Sequence, residues 1–272
     1  CRERQQFGNI HAFSLAPEAL VTSCNVQYDR ACHMTAPSAS TPLAESLAAV
    51  RLRLSAALAD AGRPAEGAQL LAVSKTKPAA LIREAWHLGQ REFGENYVQE
   101  ALAKQAELAD LDGIVWHFIG PLQSNKTREV AEHFTWVHSV DREKIARRLN
   151  DQRPEGMPPL EVCLQVNISD EATKSGVSLA ELPALAEAVL AMPRLRLRGL
   201  MAIPAPAETP EAQREPFAHL REALEALRRR FPGAPLDTLS MGMTSDLEAA
   251  VREGATLVRV GTAIFGEREP PR

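Results

Sequence analysis

The sequence is poor in aromatic residues, and tyrosine is nearly absent. Aromatic side chains make up 5% of the 272 residues, and Tyr28 and Tyr97 are the two tyrosines. Long apolar runs are missing as well, since no stretch approaches the ~18–20 uninterrupted apolar residues that a membrane-spanning helix needs. Positive charge does not dominate either, because the net charge is −4, and this excludes a bulk basic field for nucleic acid. We therefore expect a globular protein with neither a membrane nor a nucleic acid as partner.

Cysteine is scarce outside the first 33 residues. Residues 1–33 hold three of the four cysteines, namely Cys1, Cys24 and Cys32. This segment has no sustained helical or strand period, and the first methionine, Met34, follows it directly. We interpret residues 1–40 as a disordered extension, and residues 1–33 as sequence upstream of the native start. A genuine flexible tail is the alternative, and the intact mass of the natively expressed protein distinguishes the two.

The fourth cysteine, Cys163, lies within an apolar strand pattern. A single buried thiol forms no disulfide and fits a reducing compartment, so we expect a cytoplasmic protein. No spacing of Cys, His, Asp or Glu is typical of a metal site, and we predict none.

From residue 41 onward, strand-like runs alternate with helical periods. Thr41 and Pro42 provide the capping hydroxyl and the first-turn proline of a first helix, which ends at Gly62. Strands are predicted at about 69–74, 90–94, 114–119, 135–139, 160–167, 197–202, 237–240 and 256–260. Helices are predicted between them at about 78–88, 96–109, 124–133, 141–150, 178–191, 211–230 and 244–253.

Eight strands separated by helices imply parallel pairing with the helices outside. We predict that residues 41–272 form one α/β domain, a (β/α)8 TIM-type barrel with an extra N-terminal helix. An open doubly wound sheet is the alternative. That fold usually carries a glycine-rich turn after its first strand, whereas the turn at residues 74–78 contains no glycine.

Lys75 stands at the carboxyl end of the first strand, where barrels carry their active sites. Alternation places it on the same face as Leu71 and Val73, so it should point into the barrel mouth. Burial there disfavours the ammonium form, and a neutral amine is a nucleophile toward aldehydes and ketones. A solvated loop lysine is the alternative, and Lys77, beside Pro78, is interpreted as the start of the loop.

The loops after strands seven and eight are rich in glycine and hydroxyl groups. These loops, with a helix N-terminus, are the usual phosphate site of a barrel. The hydroxyl groups that fit such a site belong to Ser240, Thr244, Ser245 and Thr262. Thr244 or Ser245 could equally serve as a plain N-cap, because capping and anion binding use the same backbone donors.

Three further polar residues belong to the predicted barrel interior or its mouth. Arg259 shares a face with Leu257 and Gly261, and a buried arginine needs an acceptor. It either faces the ring nitrogen of a pyridoxal phosphate cofactor, for which arginine is one known partner, or forms a structural salt bridge. Asn96 either caps the second helix or contacts a ligand. His117 is interpreted as a satisfied core residue rather than a catalyst.

Six segments, taken in order, resemble the motifs of the pyridoxal phosphate homeostasis proteins. They are residues 71–78 (LAVSKTKP), 93–100 (FGENYVQE), 116–126 (WHFIGPLQSNK), 198–201 (RGLM), 240–243 (SMGM) and 259–266 (RVGTAIFG). The resemblance runs from about residue 43 to residue 268. One departure is Thr244, where serine looks commoner in the family, and the hydroxyl is kept.

The resemblance implies a barrel like the N-terminal domain of alanine racemase. It implies pyridoxal phosphate held as a Schiff base on Lys75, with Arg259 near the pyridine nitrogen. It also implies that Ser240, Gly242, Gly261 and Thr262 lie around the phosphate. The predicted cofactor-binding residues are therefore Lys75, Asn96, Ser240, Gly242, Thr244, Arg259, Gly261 and Thr262.

The implied function is to bind, store or deliver pyridoxal phosphate in vitamin B6 homeostasis, with no assigned reaction and no catalytic residue. Apo forms of pyridoxal phosphate enzymes are the candidate recipients, and a closed barrel permits a monomer. An amino-acid racemase is the alternative, but it needs an acid or base on each face of the substrate. Alanine racemases take a tyrosine from a second domain, and Tyr97 is the one tyrosine in the matched region. A Schiff-base aldolase is a third reading, which the colour of the purified protein would distinguish.

Overall fold

The computed structural model of the chain describes residues 41–169 and 175–267. Three of the sequence predictions concern residues outside these ranges: the interpretation of residues 1–33, the native start at Met34 and the boundary at residue 40. They stay predictions.

Eight parallel strands close into a barrel in chain order, which confirms the predicted (β/α)8 fold. The strands are β1 (Gln69–Val73), β2 (Glu92–Glu95), β3 (Val115–Phe118), β4 (Trp136–Val140), β5 (Leu160–Gln165), β6 (Leu195–Met201), β7 (Thr238–Ser240) and β8 (Leu257–Val260). Closure is made by β1 and β8, which pair in parallel with Leu71 opposite Arg259. Parallel pairing requires each connection to cross the outside of the sheet, and helices fill these crossovers.

The helices of the described residues surround the barrel. They are α1 (Pro42–Asp60), α2 (Ala79–His87), α3 (Val98–Glu107), α4 (Thr127–His133), α5 (Glu143–Gln152), α6 (Leu182–Leu190), α7 (Pro210–Arg230), α8 (Leu247–Arg252) and α9 (Thr262–Phe265). The extra helix α1 begins as predicted, since the Thr41 hydroxyl accepts a hydrogen bond from the Ala44 N–H at 3.1 Å. It packs against α8 and α9.

Two apolar clusters stabilise the barrel. The larger one lies between sheet and helices, and its largest fully buried side chains include Phe93, Phe118, Phe134 and Phe217. Each such side chain contributes roughly 1.5–3 kcal/mol by leaving water. The smaller cluster consists of Leu71, Val73, Ile119 and Leu257. Because alternate residues of β1 belong to this second cluster, they share the face of the strand that leads on to Lys75.

Among the predicted boundaries that differ from the structure, three bear on the site. Strand β1 ends at Val73, so Lys75 lies in the turn that follows it rather than within the strand. Helix α3 begins at Val98 with Tyr97 as its N-cap residue. Helix α8 begins at Leu247 with Asp246 as its N-cap residue. The sequence prediction includes polar loop residues in the first turns of these two helices, because helical periodicity does not define where a helix starts.

Candidate functional site

A cavity of about 340 Å³ lies where the carboxyl ends of the strands meet. Its wall is formed by Val73, Lys75, Asn96, Ile119, Ile203, Met243, Thr244, Ser245, Arg259, Gly261 and Thr262. The tertiary structure thus brings together six of the eight predicted site residues. Ser240 and Gly242 lie elsewhere, as described below.

Lys75 reaches this cavity from a turn whose backbone is tied to helix α3. The carbonyl of Ser74 accepts a hydrogen bond from Lys104 Nζ at 2.8 Å. On the other side, the N–H of Thr76 donates to Glu100 Oε1. Thr76 adopts a φ of 63°, a left-handed conformation that is costly for a β-branched residue. Both neighbours of Lys75 are therefore held by α3, and the turn presents the half-buried lysine to the cavity.

The same contacts explain a charged cluster buried beneath the turn. Lys104 also donates to Glu95 Oε1 at 2.8 Å and forms an ion pair with Glu100. Glu95 is fully buried and accepts a further hydrogen bond from the Ser74 hydroxyl at 2.6 Å. Burial raises the pKa of the Glu95 carboxyl, and Lys104 opposes that shift. Sequence reasoning missed this cluster, although a lysine at a position that helical periodicity assigns to the buried face is a signal for it.

Lys77, the nearest alternative lysine, lies in a different place. Its Nζ donates to the carbonyl of Glu267 at 2.6 Å. It lines another cavity, of about 950 Å³, together with Pro78 and Glu107. Lys75, not Lys77, therefore shares a cavity with Arg259.

Arg259 is buried, and it is held by uncharged acceptors. It is 4% exposed, and its two terminal nitrogens donate to Ser240 Oγ at 2.8 Å and to the Ala202 carbonyl at 2.9 Å. Burial lowers its pKa to about 10, with the charge of Asp246 opposing the shift. The guanidinium is therefore still cationic at neutral pH. A structural salt bridge is not what holds it, since both of these partners are neutral.

Ser240 and Gly242 lie behind Arg259 instead of in the cavity wall. Ser240 is fully buried in β7, and its Oγ lies 2.7 Å from His138 Nδ1 as well as accepting from Arg259. The backbone carbonyl of Gly242 accepts a hydrogen bond from the backbone N–H of Arg259 at 2.9 Å. Gly242 has a φ of +90°, and a Cβ there would lie 2.6 Å from the Ala250 Cβ. The structure thus gives both residues a role in placing Arg259, and neither is part of the wall.

Three hydroxyl groups do line the cavity, those of Thr244, Ser245 and Thr262. The alternative that Thr244 or Ser245 is the N-cap of α8 is wrong, because Asp246 occupies that position. Asp246 Oδ1 instead accepts the Met243 N–H at 2.6 Å, which shapes the loop. Thr262 is the first residue of α9, and Gly261 alone separates it from the end of β8. These three residues and the cationic Arg259 lie on the same cavity wall. Together they form a donor set suited to an anion.

Asn96 is not a helix cap, so the capping alternative is wrong for this residue too. Its side-chain oxygen is buried and has no hydrogen-bond partner among the described residues. Gly120 makes its position possible, because a Cβ at Gly120 would lie 2.3 Å from the Asn96 carbonyl oxygen. A buried acceptor without a partner is uncommon in proteins, and here it belongs to a residue of the cavity wall.

His117 is a satisfied core residue, as the sequence interpretation holds, and it has a second histidine as partner. His117 Nδ1 lies 2.9 Å from His138 Nε2, and both rings are fully or almost fully buried. Sequence reasoning did not single out His138. The available signal was a histidine in a predicted strand on the same face as Trp136, similar to the signal that marked His117.

Neither a metal site nor a membrane span is found in the parts of the chain that the structure describes. No three His, Cys, Asp or Glu side chains in residues 41–169 and 175–267 are grouped so that they could hold a metal ion. Across the same ranges, every helix is too short or too polar to traverse a bilayer.

The barrel and its cavity define the class to which the chain belongs. Residues 46–269 match the family model of the alanine racemase N-terminal domain. A pyridoxal phosphate homeostasis protein of Pseudomonas aeruginosa is 63% identical over 227 residues, which cover 84% of this chain and 96% of that protein. The protein of the same name from Escherichia coli K12 is 57% identical over 229 residues, which cover 84% of this chain and 97% of the relative.

Solved structures agree with this assignment. The structure of PipY from Synechococcus elongatus with pyridoxal phosphate bound is 44% identical, with a TM-score of 0.73, and the match covers 82% of this chain and 100% of PipY. The chain belongs to the family of pyridoxal phosphate homeostasis proteins. The resemblance indicated by the sequence motifs is thereby confirmed.

Proposed function

We propose that this protein binds pyridoxal phosphate in the cavity between Lys75 and Arg259, and that it holds and releases the cofactor without catalysing a reaction. The observation that carries the proposal is the meeting of a lysine amine and a buried guanidinium in one cavity of about 340 Å³. Relatives named pyridoxal phosphate homeostasis proteins, and the PipY structure with pyridoxal phosphate bound, support it.

The residues present fit this cofactor by their chemistry. An amine suits an aldehyde, and a guanidinium suits a ring nitrogen that accepts a hydrogen bond. Hydroxyl donors at the start of a helix suit a phosphate. The unpartnered Asn96 oxygen offers an acceptor to a ligand hydroxyl group. The cavity volume lies within the ~300–1,000 Å³ usual for small-molecule sites.

The chain's own residues would each perform one task. When bound, pyridoxal phosphate supplies an aldehyde and a ring that can act as an electron sink. The Lys75 amine would hold the cofactor by condensing with its aldehyde carbon, the carbonyl oxygen leaving as water, and would so keep the cofactor from diffusing away. Arg259 would donate a hydrogen bond to the ring nitrogen but retain its proton, because a guanidinium is not a practical acid near neutral pH. A ring that is not protonated is a weaker electron sink, and this favours storage over catalysis.

The position of Tyr97 argues against the racemase alternative, which needs a second base beside Lys75. Tyr97, the one tyrosine of residues 41–272, is 54% exposed. It lines a different cavity, of about 380 Å³, together with Pro121 and Lys126. Its hydroxyl is therefore not in the wall of the Lys75 cavity, and two-base proton transfer would need a group from elsewhere.

Borohydride reduction tests the covalent attachment. The loaded protein should carry the reduced label on Lys75 after reduction and peptide mapping. Lys75→Ala should abolish the label yet leave the barrel folded and noncovalent binding weakened, because the wall hydroxyls remain. Lys77→Ala is the matched control and should label normally. A label on Lys77, or an unchanged reducible adduct in Lys75→Ala, would overturn the assignment.

Transfer experiments test the carrier role. Loaded protein incubated with an apo pyridoxal phosphate enzyme should activate it, and activation by the same amount of free cofactor is the reference. Interconversion of L- and D-alanine by the pure protein would favour the racemase instead.

We further propose that the protein works as a cytoplasmic monomer, on the basis of the closed barrel and the buried free thiol of Cys163. Sedimentation at several concentrations, and fractionation of cells, test these two points.

A further inference from the structure

Five side chains form a continuous hydrogen-bonded chain through the inside of the barrel. It runs from Arg259 to Ser240 Oγ at 2.8 Å, and from Ser240 Oγ to His138 Nδ1 at 2.7 Å. His138 Nε2 lies 2.9 Å from His117 Nδ1, and His117 Nε2 lies 2.6 Å from Glu92 Oε2. Glu92 is the first residue of β2, at the end of the barrel opposite the cavity. The chain therefore joins the cavity wall to the other end of the barrel.

The chemistry of the two end groups determines where every hydrogen lies. A guanidinium only donates, so Ser240 must accept from Arg259 and has one hydrogen left to give. A carboxylate only accepts, so His117 must donate to Glu92 through Nε2–H. A neutral His117 then has a bare Nδ1, which accepts from His138 Nε2–H. His138 Nδ1 is bare in turn and accepts the Ser240 hydrogen.

The surroundings keep both rings neutral and in place. His117 stacks on Trp136, with ring centroids 5.5 Å apart and an interplanar angle of 10°. The guanidinium of Arg198 covers the Trp136 ring, 5.1 Å from its centroid. Burial lowers the pKa of His117, which Glu92 partly opposes, and it lowers the pKa of His138 well below its usual range. With neutral imidazoles, the one-way order of donors holds from Arg259 to Glu92.

We propose that His138 and His117 are positioning residues, locked as Nε2–H tautomers, that hold the Ser240 hydroxyl as the acceptor that aims Arg259 at the cavity. The role of Arg259 toward a cofactor rests on the proposed function, whereas the order of the hydrogens does not. Ser240 then affects ligand binding through Arg259 and not through a phosphate contact.

Nitrogen-15 NMR of the histidine rings, in protein without added cofactor, tests the tautomers directly. His117 and His138 should each show a protonated Nε2 and an unprotonated Nδ1 at neutral pH. The assignment of each ring comes from the spectra of variants lacking one of them. A proton on Nδ1 of either ring would overturn the proposed order.

Two substitutions at one position separate the two ends of the imidazole. In His138→Asn, the side-chain amide occupies the place of Nδ1 and can still accept from Ser240. In His138→Gln, the amide reaches toward His117 and leaves Ser240 without that partner. We expect His138→Gln to bind both pyridoxal phosphate and unphosphorylated pyridoxal about tenfold more weakly than His138→Asn, the effect of losing one hydrogen bond. The exposed His133→Asn is the control and should bind like the native chain.

The absorption spectrum of the loaded protein adds a readout that a simple loss of packing would not change. The absorption maximum should shift in His138→Gln and stay closer to the native position in His138→Asn, because Arg259 sets the charge beside the ring. Equal affinities and identical spectra for the two variants would refute the positioning role. Failure of the native protein to form any Lys75 adduct would instead refute the proposed function, and the tautomer result would stand.

Discussion

Mild acid should destabilise this fold, because His117 and His138 are buried in their neutral form. Burial lowers the pKa of both imidazoles in the folded state, and for His138 the positive charge of Arg259, together with that of His117 whenever His117 is protonated, adds to the shift. In the unfolded chain both rings titrate near their ordinary pKa of about 6.5. Below that pH the unfolded state binds more protons than the folded state, so the free energy of unfolding falls as the pH falls.

The size of the effect follows from this linkage. A histidine that stays neutral in the folded state lowers the free energy of unfolding by at most about 1.4 kcal/mol when the pH falls from about 7.5 to 5.5. His138 should reach nearly that limit, and the two histidines together should lower the free energy of unfolding by up to about 2.7 kcal/mol. Carboxyl groups such as Asp237, whose pKa is raised by burial but lowered overall by the hydrogen bonds of Arg198 and Thr238, lose their stabilising effect only at lower pH. Glu95 works in the opposite direction, because its pKa is raised by burial.

Urea unfolding at the two pH values measures this, with His138→Asn as the comparison. The variant is expected to be less stable at both pH values but to lose up to about 1.4 kcal/mol less than the native chain on acidification. Comparing the two chains cancels the contribution of Glu95. The exposed His133→Asn should show the full native loss. If native protein and His138→Asn lost the same stability on acidification, the buried neutral imidazole would not be its cause.

Three further outcomes are expected. Thr262→Ala should weaken binding of pyridoxal phosphate roughly tenfold to hundredfold, by loss of about 1.5–3 kcal/mol from a hydrogen bond to an anion, and calorimetry should show little change for pyridoxal. Glu100→Gln should slow formation of the reducible adduct, since it weakens the hold on the strained Thr76 beside Lys75, and adduct formation can be followed by absorbance. Gly120→Ala should lower the unfolding midpoint, because its Cβ would lie 2.3 Å from a backbone oxygen.

Much of the fold could be predicted from the sequence because the spacing of apolar residues along the chain indicates where the strands and helices lie. Alternation in β1 and the position of Lys75 after it placed the lysine in the cavity wall, although the strand ends at Val73 and not at residue 74. The loop hydroxyls could be found by the same reasoning. Boundaries at Asn96 and Thr244 were misplaced, since a polar residue before a helix has the same pattern whether it caps the helix or faces a cavity.

The sequence by itself determined the barrel, the position of Lys75 at its mouth and the family, because each depends on residues that are close along the chain. The partners of Arg259 were decided only by the tertiary structure. Ser240 meets His138 across 102 residues of sequence, and Arg259 meets the Ala202 carbonyl across 57. Periodicity tells which face of a strand a side chain occupies, but contacts across the barrel interior depend on how far each strand is staggered against the next. That stagger emerges from packing all eight strands at once, and only the folded barrel shows Ser240 between Arg259 and His138.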